Sequence, residues 1–181
     1  MKSISILIFA LFSSLISLAQ FNSASVTAAG LTCAMCTKAI YNALEKIPGV
    51  ESVDADIKSS AFNIKFKQGS SVDPDALKHA VEDAGFSVAK FQLSGDFHNV
   101  QVKNDAHINI DNRTYHFLKT NPTELNGQYT LTIVDKDFLS IKEFRKYSSS
   151  TNHPCVETGK AGECCSKTGS MQNSRIYHVT L

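Results

Sequence analysis

The sequence predicts an α+β fold: a β-α-β-β-α-β unit over residues 25–93, then a small, mostly β region. Three observations carry this. Two segments place apolar residues at helical spacing, the runs around them alternate apolar and polar, and beyond Gly95 the alternating pattern predominates.

Ser25 to Leu31 reads as the first strand and Thr32 to Cys36 as a loop. Ile40, Ala43, Leu44 and Ile47 then give one apolar helical face, which Pro48-Gly49 ends. Val53, Ala55 and Ile57 alternate with Asp54, Asp56 and Lys58, and Phe62, Ile64 and Phe66 with Asn63, Lys65 and Lys67. These are two strands joined at Lys58-Ser59-Ser60. Asp73 suits an N-cap and Pro74 the first helical position. Leu77, Ala80, Val81 and Ala84 form the buried stripe, with Gly85 at C′. Phe86 to Leu93 closes the unit, in the split ferredoxin-like order.

The second region holds short alternating runs through Val100, Val102, Ile108, Ile110, Tyr115, Phe117, Tyr129, Leu131 and Ile133. Asp111-Asn112 and Asn126-Gly127 read as turns between runs. Phe138 to Tyr147 suggests a short helix capped by Ser140, residues 148–174 a Ser-, Gly- and Lys-rich loop, and Arg175 to Leu181 a last strand. In outline this is a small OB-like barrel. The expected organisation is therefore a leader over 1–20, a domain over 21–94 and a β-rich domain over 95–181.

The leader is expected from Met1-Lys2, an apolar run from Ile4 to Leu18 relieved only by serines, and small residues at Ser17-Leu18-Ala19. This is a secretory pattern, with cleavage after Ala19 or Gln20, and the run is shorter than the ~20 apolar residues of a spanning helix. A secreted, periplasmic setting follows, in which cysteines meet an oxidising environment. Eighteen Lys+Arg against seventeen Asp+Glu leave no basic footprint for nucleic acid and no polybasic membrane patch.

The chemistry concentrates in Cys33-Ala34-Met35-Cys36. Two thiols three residues apart at a helix start can face one centre. The unpaired N–H groups and dipole there favour thiolate over thiol. Two thiolates with little other ligation suit a soft, low-coordinate ion such as Cu(I), although the same spacing also serves redox and zinc sites. Met35 reads as an exposed or partly packed loop residue rather than a thioether ligand. No Ser/His/Asp set, paired-carboxylate arrangement, phosphate loop or dinucleotide fingerprint is present, so no enzyme activity is expected.

Five cysteines leave at least one outside any intramolecular disulfide. Cys155, Cys164 and Cys165, with His153, either pin their loop through a disulfide from Cys155 to Cys164 or Cys165, or bind a second metal. Export favours the disulfide. His98, His107, His116 and His178 fall in predicted strands, with His107 and His116 flanking a hairpin. They read as surface or satisfied core residues rather than ligands.

Residues 25–93 resemble the heavy-metal-associated domain of copper chaperones, metal-transporting P-type ATPases and periplasmic mercury-binding proteins. The resemblance rests on Gly30-Leu31-Thr32-Cys33-Ala34-Met35-Cys36, Ile47-Pro48-Gly49-Val50-Glu51-Ser52-Val53 and Ala80-Val81-Glu82-Asp83-Ala84-Gly85-Phe86. Leu31 stands where the family usually has Met, and Phe86 matches an aromatic position beneath the metal loop. The resemblance implies Cys33 and Cys36 as metal ligands, Cu(I) as the metal with Hg(II) and Zn(II) as alternatives, and transfer by ligand exchange. It implies a metal-transporting ATPase or another metal-handling protein as partner. The competing readings are a periplasmic thiol-disulfide protein and a mercury scavenger.

Overall fold

Eight strands form a single mixed sheet in this computed structural model, which describes residues 19–162, 165 and 173–181. Residues 1–18 of the expected leader (1–20) lie outside the described residues. Ala19 and Gln20, at the expected cleavage point, already pair with Phe97 and Asp96. Among the described residues no helix is long and apolar enough to cross a membrane.

In chain order the elements are β1 (Ala19–Ala29), α1 (Ala34–Glu45), β2 (Val50–Asp56), β3 (Ala61–Phe66), α2 (Pro74–Asp83) and β4 (Ser87–Val102). There follow β5 (His107–Ile110), β6 (Arg113–Phe117), β7 (Thr123–Ile133), α3 (Ile141–Ser148), α4 (Cys155–Thr158) and β8 (Ile176–Thr180). Strand order is β2-β3-β1-β4-β7-β8-β6-β5. The first four positions are the ferredoxin-like arrangement the sequence predicts. Ile40 and Leu44 of α1 and Leu77 and Val81 of α2 are buried in one apolar cluster with Val26, Phe62, Ile64 and Phe91. Asp73 caps α2 by accepting the Asp75 N–H at 3.0 Å, and Gly85 takes the left-handed conformation (φ +89°) at its end.

The C-terminal strands do not close into the expected OB-like barrel. They extend the same sheet, which stays open with β2 and β5 at its edges. The cause is β4. It runs through residues 94 and 95 as one sixteen-residue strand, pairing with β1 on one side and with β7 on the other. Gly95 reads as a break in sequence but serves a close backbone approach. A Cβ there would lie 2.3 Å from the Gln20 carbonyl oxygen, opposite a bulge between Phe21 and Ser23. Asn126-Gly127 is likewise no turn. It lies within β7, opposite a bulge of β4 between Phe97 and Val100 at which Asn99 has φ +54°. Asp111-Asn112 is a true two-residue turn, both residues having positive φ (50° and 62°).

The apolar core runs unbroken across residues 94–95. Phe21 of β1 meets Phe97 and Tyr115 edge-on, at 6.0 and 5.2 Å between centroids. A smaller cluster of Leu118, Val134, Phe144 and Val156 seats α3 and α4. Ser140 caps α3 as expected, accepting the Glu143 N–H at 3.3 Å.

Replacing Gly95 by Ala should cost about 3 kcal/mol, because backbone rather than a flexible side chain would have to move. Urea unfolding of the variant measures this. A fragment ending at Ser94 should unfold at a lower urea midpoint than one ending at Val102. Equal midpoints would mean that the second half of β4 adds nothing to the first four strands.

Candidate metal centre

Gly30 (φ +73°) turns the chain out of β1, and Cys33 becomes the N-cap of α1. The Cys36 N–H donates to Cys33 Sγ at 3.1 Å, and the Thr37 N–H donates to the Cys33 carbonyl at 3.1 Å. Thr37 is buried and anchors the turn, while Cys33 is exposed and Cys36 half-buried. The two cysteines form a disulfide, with Cα atoms 5.3 Å apart. The loop therefore brings both sulfurs to one point at the first turn of a helix, open to solvent. Met35 is 77% exposed. Leu31 and Phe86 pack on the main core beneath.

Of the four strand histidines, His98 lies at the surface and His116 and His178 in the interior, as expected, but three of the four are not scattered. His107 of β5 pairs in register with His116 of β6, which pairs with His178 of β8. Three histidines thus stand side by side on one face of three adjacent strands. His107 and His116 stack with centroids 4.0 Å apart, and the half-buried His153 ring meets both edge-on at 5.4 and 5.5 Å. His98, on β4, is exposed. Cys155, at the start of α4, and Cys165 are both buried at this row. The structure shows no disulfide between these two, and Cys164 lies outside the described residues.

Burial lowers the pKa of both His107 and His116. His153 depresses His107 further, and His107 and His178 do the same to His116, so both rings are neutral near pH 7. The pairing was legible in outline. His107 lies four residues before Asp111 and His116 four after Asn112, so a two-residue turn there must put them opposite each other.

Behind the row, Asp135 is buried and holds His178 Nδ1. Arg175 bridges this carboxylate to α2, reaching Asp135 at 3.0 Å and Asp75 through two nitrogens at 2.9 and 3.2 Å. The Tyr177 hydroxyl donates to Asp73 at 2.5 Å. Strand β8 thereby grips the first turn of α2. Burial alone would raise the Asp75 pKa, but the Arg175 guanidinium outweighs it and holds the carboxyl below its ordinary value.

Comparison with known proteins places the resemblance in the first four strands. The model of the heavy-metal-associated domain matches residues 25–87. The copper chaperone CopZ of Staphylococcus aureus is 32% identical over 59 residues, 33% of this chain and 85% of the chaperone. A copper-transporting ATPase of Rhizobium meliloti is 36% identical over 66 residues, 36% of this chain and 8% of the ATPase. The chain thus spans less than a tenth of the length of that transporter. Among solved structures, a CopZ metallochaperone is 27% identical, over 37% of this chain and 98% of its own, with a TM-score of 0.34.

The Arg175–Asp75 contact gives stability a definite pH signature. A carboxyl with a lowered folded-state pKa adds stability above its ordinary pKa of 3.8, and loses it as pH falls through the lower folded value. In Asp75→Asn, stability should fall less steeply with decreasing pH below about 4 than in the parent. Urea unfolding across pH 2–5 measures the two slopes.

Proposed function

The chain belongs to the heavy-metal-associated domain family, and on that premise we propose that it binds Cu(I) through Cys33 and Cys36 and transfers or sequesters it. The observation that carries this reading is the convergence of two sulfurs on an exposed loop at a helix N-terminus, within the stretch the family shares. The disulfide is the oxidised form of the site. Two electrons and two protons from a dithiol reductant open it to two thiols, and each thiol releases its proton when the sulfur takes up metal. The first-turn N–H groups lower the cost of that ionisation, as the Cys36 N–H already does by donating to Cys33 Sγ.

Exposure favours hand-over above storage in a closed cage. A two-sulfur site on a solvent-facing loop leaves room for a third thiolate from a partner to attack the ion. A four-ligand structural site does not. The proposed partner is a metal-transporting ATPase or another metal-handling protein, and the proposed setting is outside the cytoplasm. The role is carriage, without catalysis. A mercuric reductase of Shigella flexneri is 39% identical over 57 residues, 32% of this chain and 10% of the reductase, which supports Hg(II) as the alternative cargo.

The Cys33–Cys36 disulfide favours one second reading, a thiol-disulfide protein. Competition against a Cu(I) chelator separates the two. The reduced protein should hold Cu(I), and Cys33→Ser/Cys36→Ser should weaken binding by more than the ~100-fold that loss of an outer partner costs, with the far-UV CD spectrum unchanged. Retention of the ion by the double variant overturns the assignment. Disulfide reductase activity without tight Cu(I) binding favours the second reading.

A further inference from the structure

His107 Nε2, His116 Nδ1, Cys155 Sγ and Cys165 Sγ meet in the C-terminal half of the sheet. Cys155 Sγ lies 3.6 Å from His107 Nε2 and 3.7 Å from His116 Nδ1, and Cys165 Sγ lies 3.4 Å from His107 Nε2. His107, His116 and Cys155 each offer a ligand atom, and those three atoms lie within 4.8 Å of one another. We propose that these four side chains form a second metal site, distinct from Cys33 and Cys36, that binds Zn(II) tetrahedrally and fixes the loop carrying Cys155 and Cys165 to strands β5 and β6.

The spacing fits the ion. With Zn–S near 2.3 Å and Zn–N near 2.0–2.1 Å, the S···N edge of a tetrahedron is about 3.6 Å. The three S···N distances bracket that value. An outer partner is in place as well. His116 Nε2 lies 3.1 Å from the Asp105 carboxylate, which leaves the His116 Nδ1 lone pair facing Cys155, the usual outer partnership of metal-bound histidine. The His107 and His116 rings are stacked in the metal-free protein, so uptake of the ion turns one ring towards it.

The row continues in His178, fully buried, whose Nε2 has no hydrogen-bond partner among the described residues. This face thus carries more nitrogen lone pairs than donors to satisfy them. Charge selects the ion. Two thiolates and two neutral imidazoles balance a divalent cation, whereas Cu(I) would leave a net negative charge beside the buried His116, Cys155 and Cys165.

The site is tested in Cys33→Ser/Cys36→Ser, so that its outcome is independent of the first site. Reduced full-length protein carrying these substitutions should bind one Zn(II) per chain. Co(II) in its place should show the intense d–d bands and thiolate charge transfer of a tetrahedral centre. Adding Asp105→Asn, which suits the residue's positive φ of 61°, should weaken Zn(II) binding about 10–100-fold while the protein stays folded by CD. Adding Cys155→Ser should cut the thiolate charge transfer of the Co(II) form to the contribution of Cys165 alone. No bound metal, an octahedral Co(II) spectrum, or affinity unchanged by both substitutions overturns the proposal. So does mass spectrometry of the non-reduced native protein showing Cys155 crosslinked to Cys164 or Cys165.

Discussion

The antiparallel pairing of β1 with β4 is the constraint on which the rest of the molecule depends. β1 delivers the chain into the Cys33–Cys36 loop, and β4 carries it out of the ferredoxin-like unit without a break. Because β4 keeps its free edge for β7, the later strands extend the sheet instead of closing on themselves. The close approach at Gly95 lets one strand serve both halves. The aromatic contacts of Phe21 with Phe97 and Tyr115 then join the two cores into one.

The two halves were unequally legible. In the first, periodicity, caps and turn residues all agree, so Asp73, Pro74 and Gly85 mark α2 within a residue. Local consistency of that kind is what makes a sequence readable. The second half fails where a local signal has two physical meanings. Gly95 and Asn126-Gly127 look like chain breaks but serve backbone approach and a bulge. Alternation predicts strands without saying which neighbour each one takes, and the parallel pairing of β6 with β8 is invisible at that level. The histidine row depends on that pairing. Only its first step, His107 opposite His116, follows from the Asp111-Asn112 turn.

The cysteines divide by environment. Cys33 and Cys36 sit at a helix start in contact with water, where ligands can exchange, and α1 needs no metal to hold its place on the sheet. Cys155 and Cys165 are buried in a small apolar cluster with Ala161 and Ile176. The same residue type thus faces opposite demands, accessibility in one half and closure in the other.

Strand β8 is late in the sequence and interior in the sheet, set between β7 and β6. Its partner β6 leaves the ribosome about sixty residues earlier, a wait of roughly 3–12 s at ~5–20 residues per second. Over that interval the ferredoxin-like strands already have all their partners, but the β5–β6 hairpin displays an unpaired edge with Tyr115 and Phe117 uncovered. Until β8 arrives, that edge is the place where another chain's strand could pair, and β8 removes the opportunity by filling it.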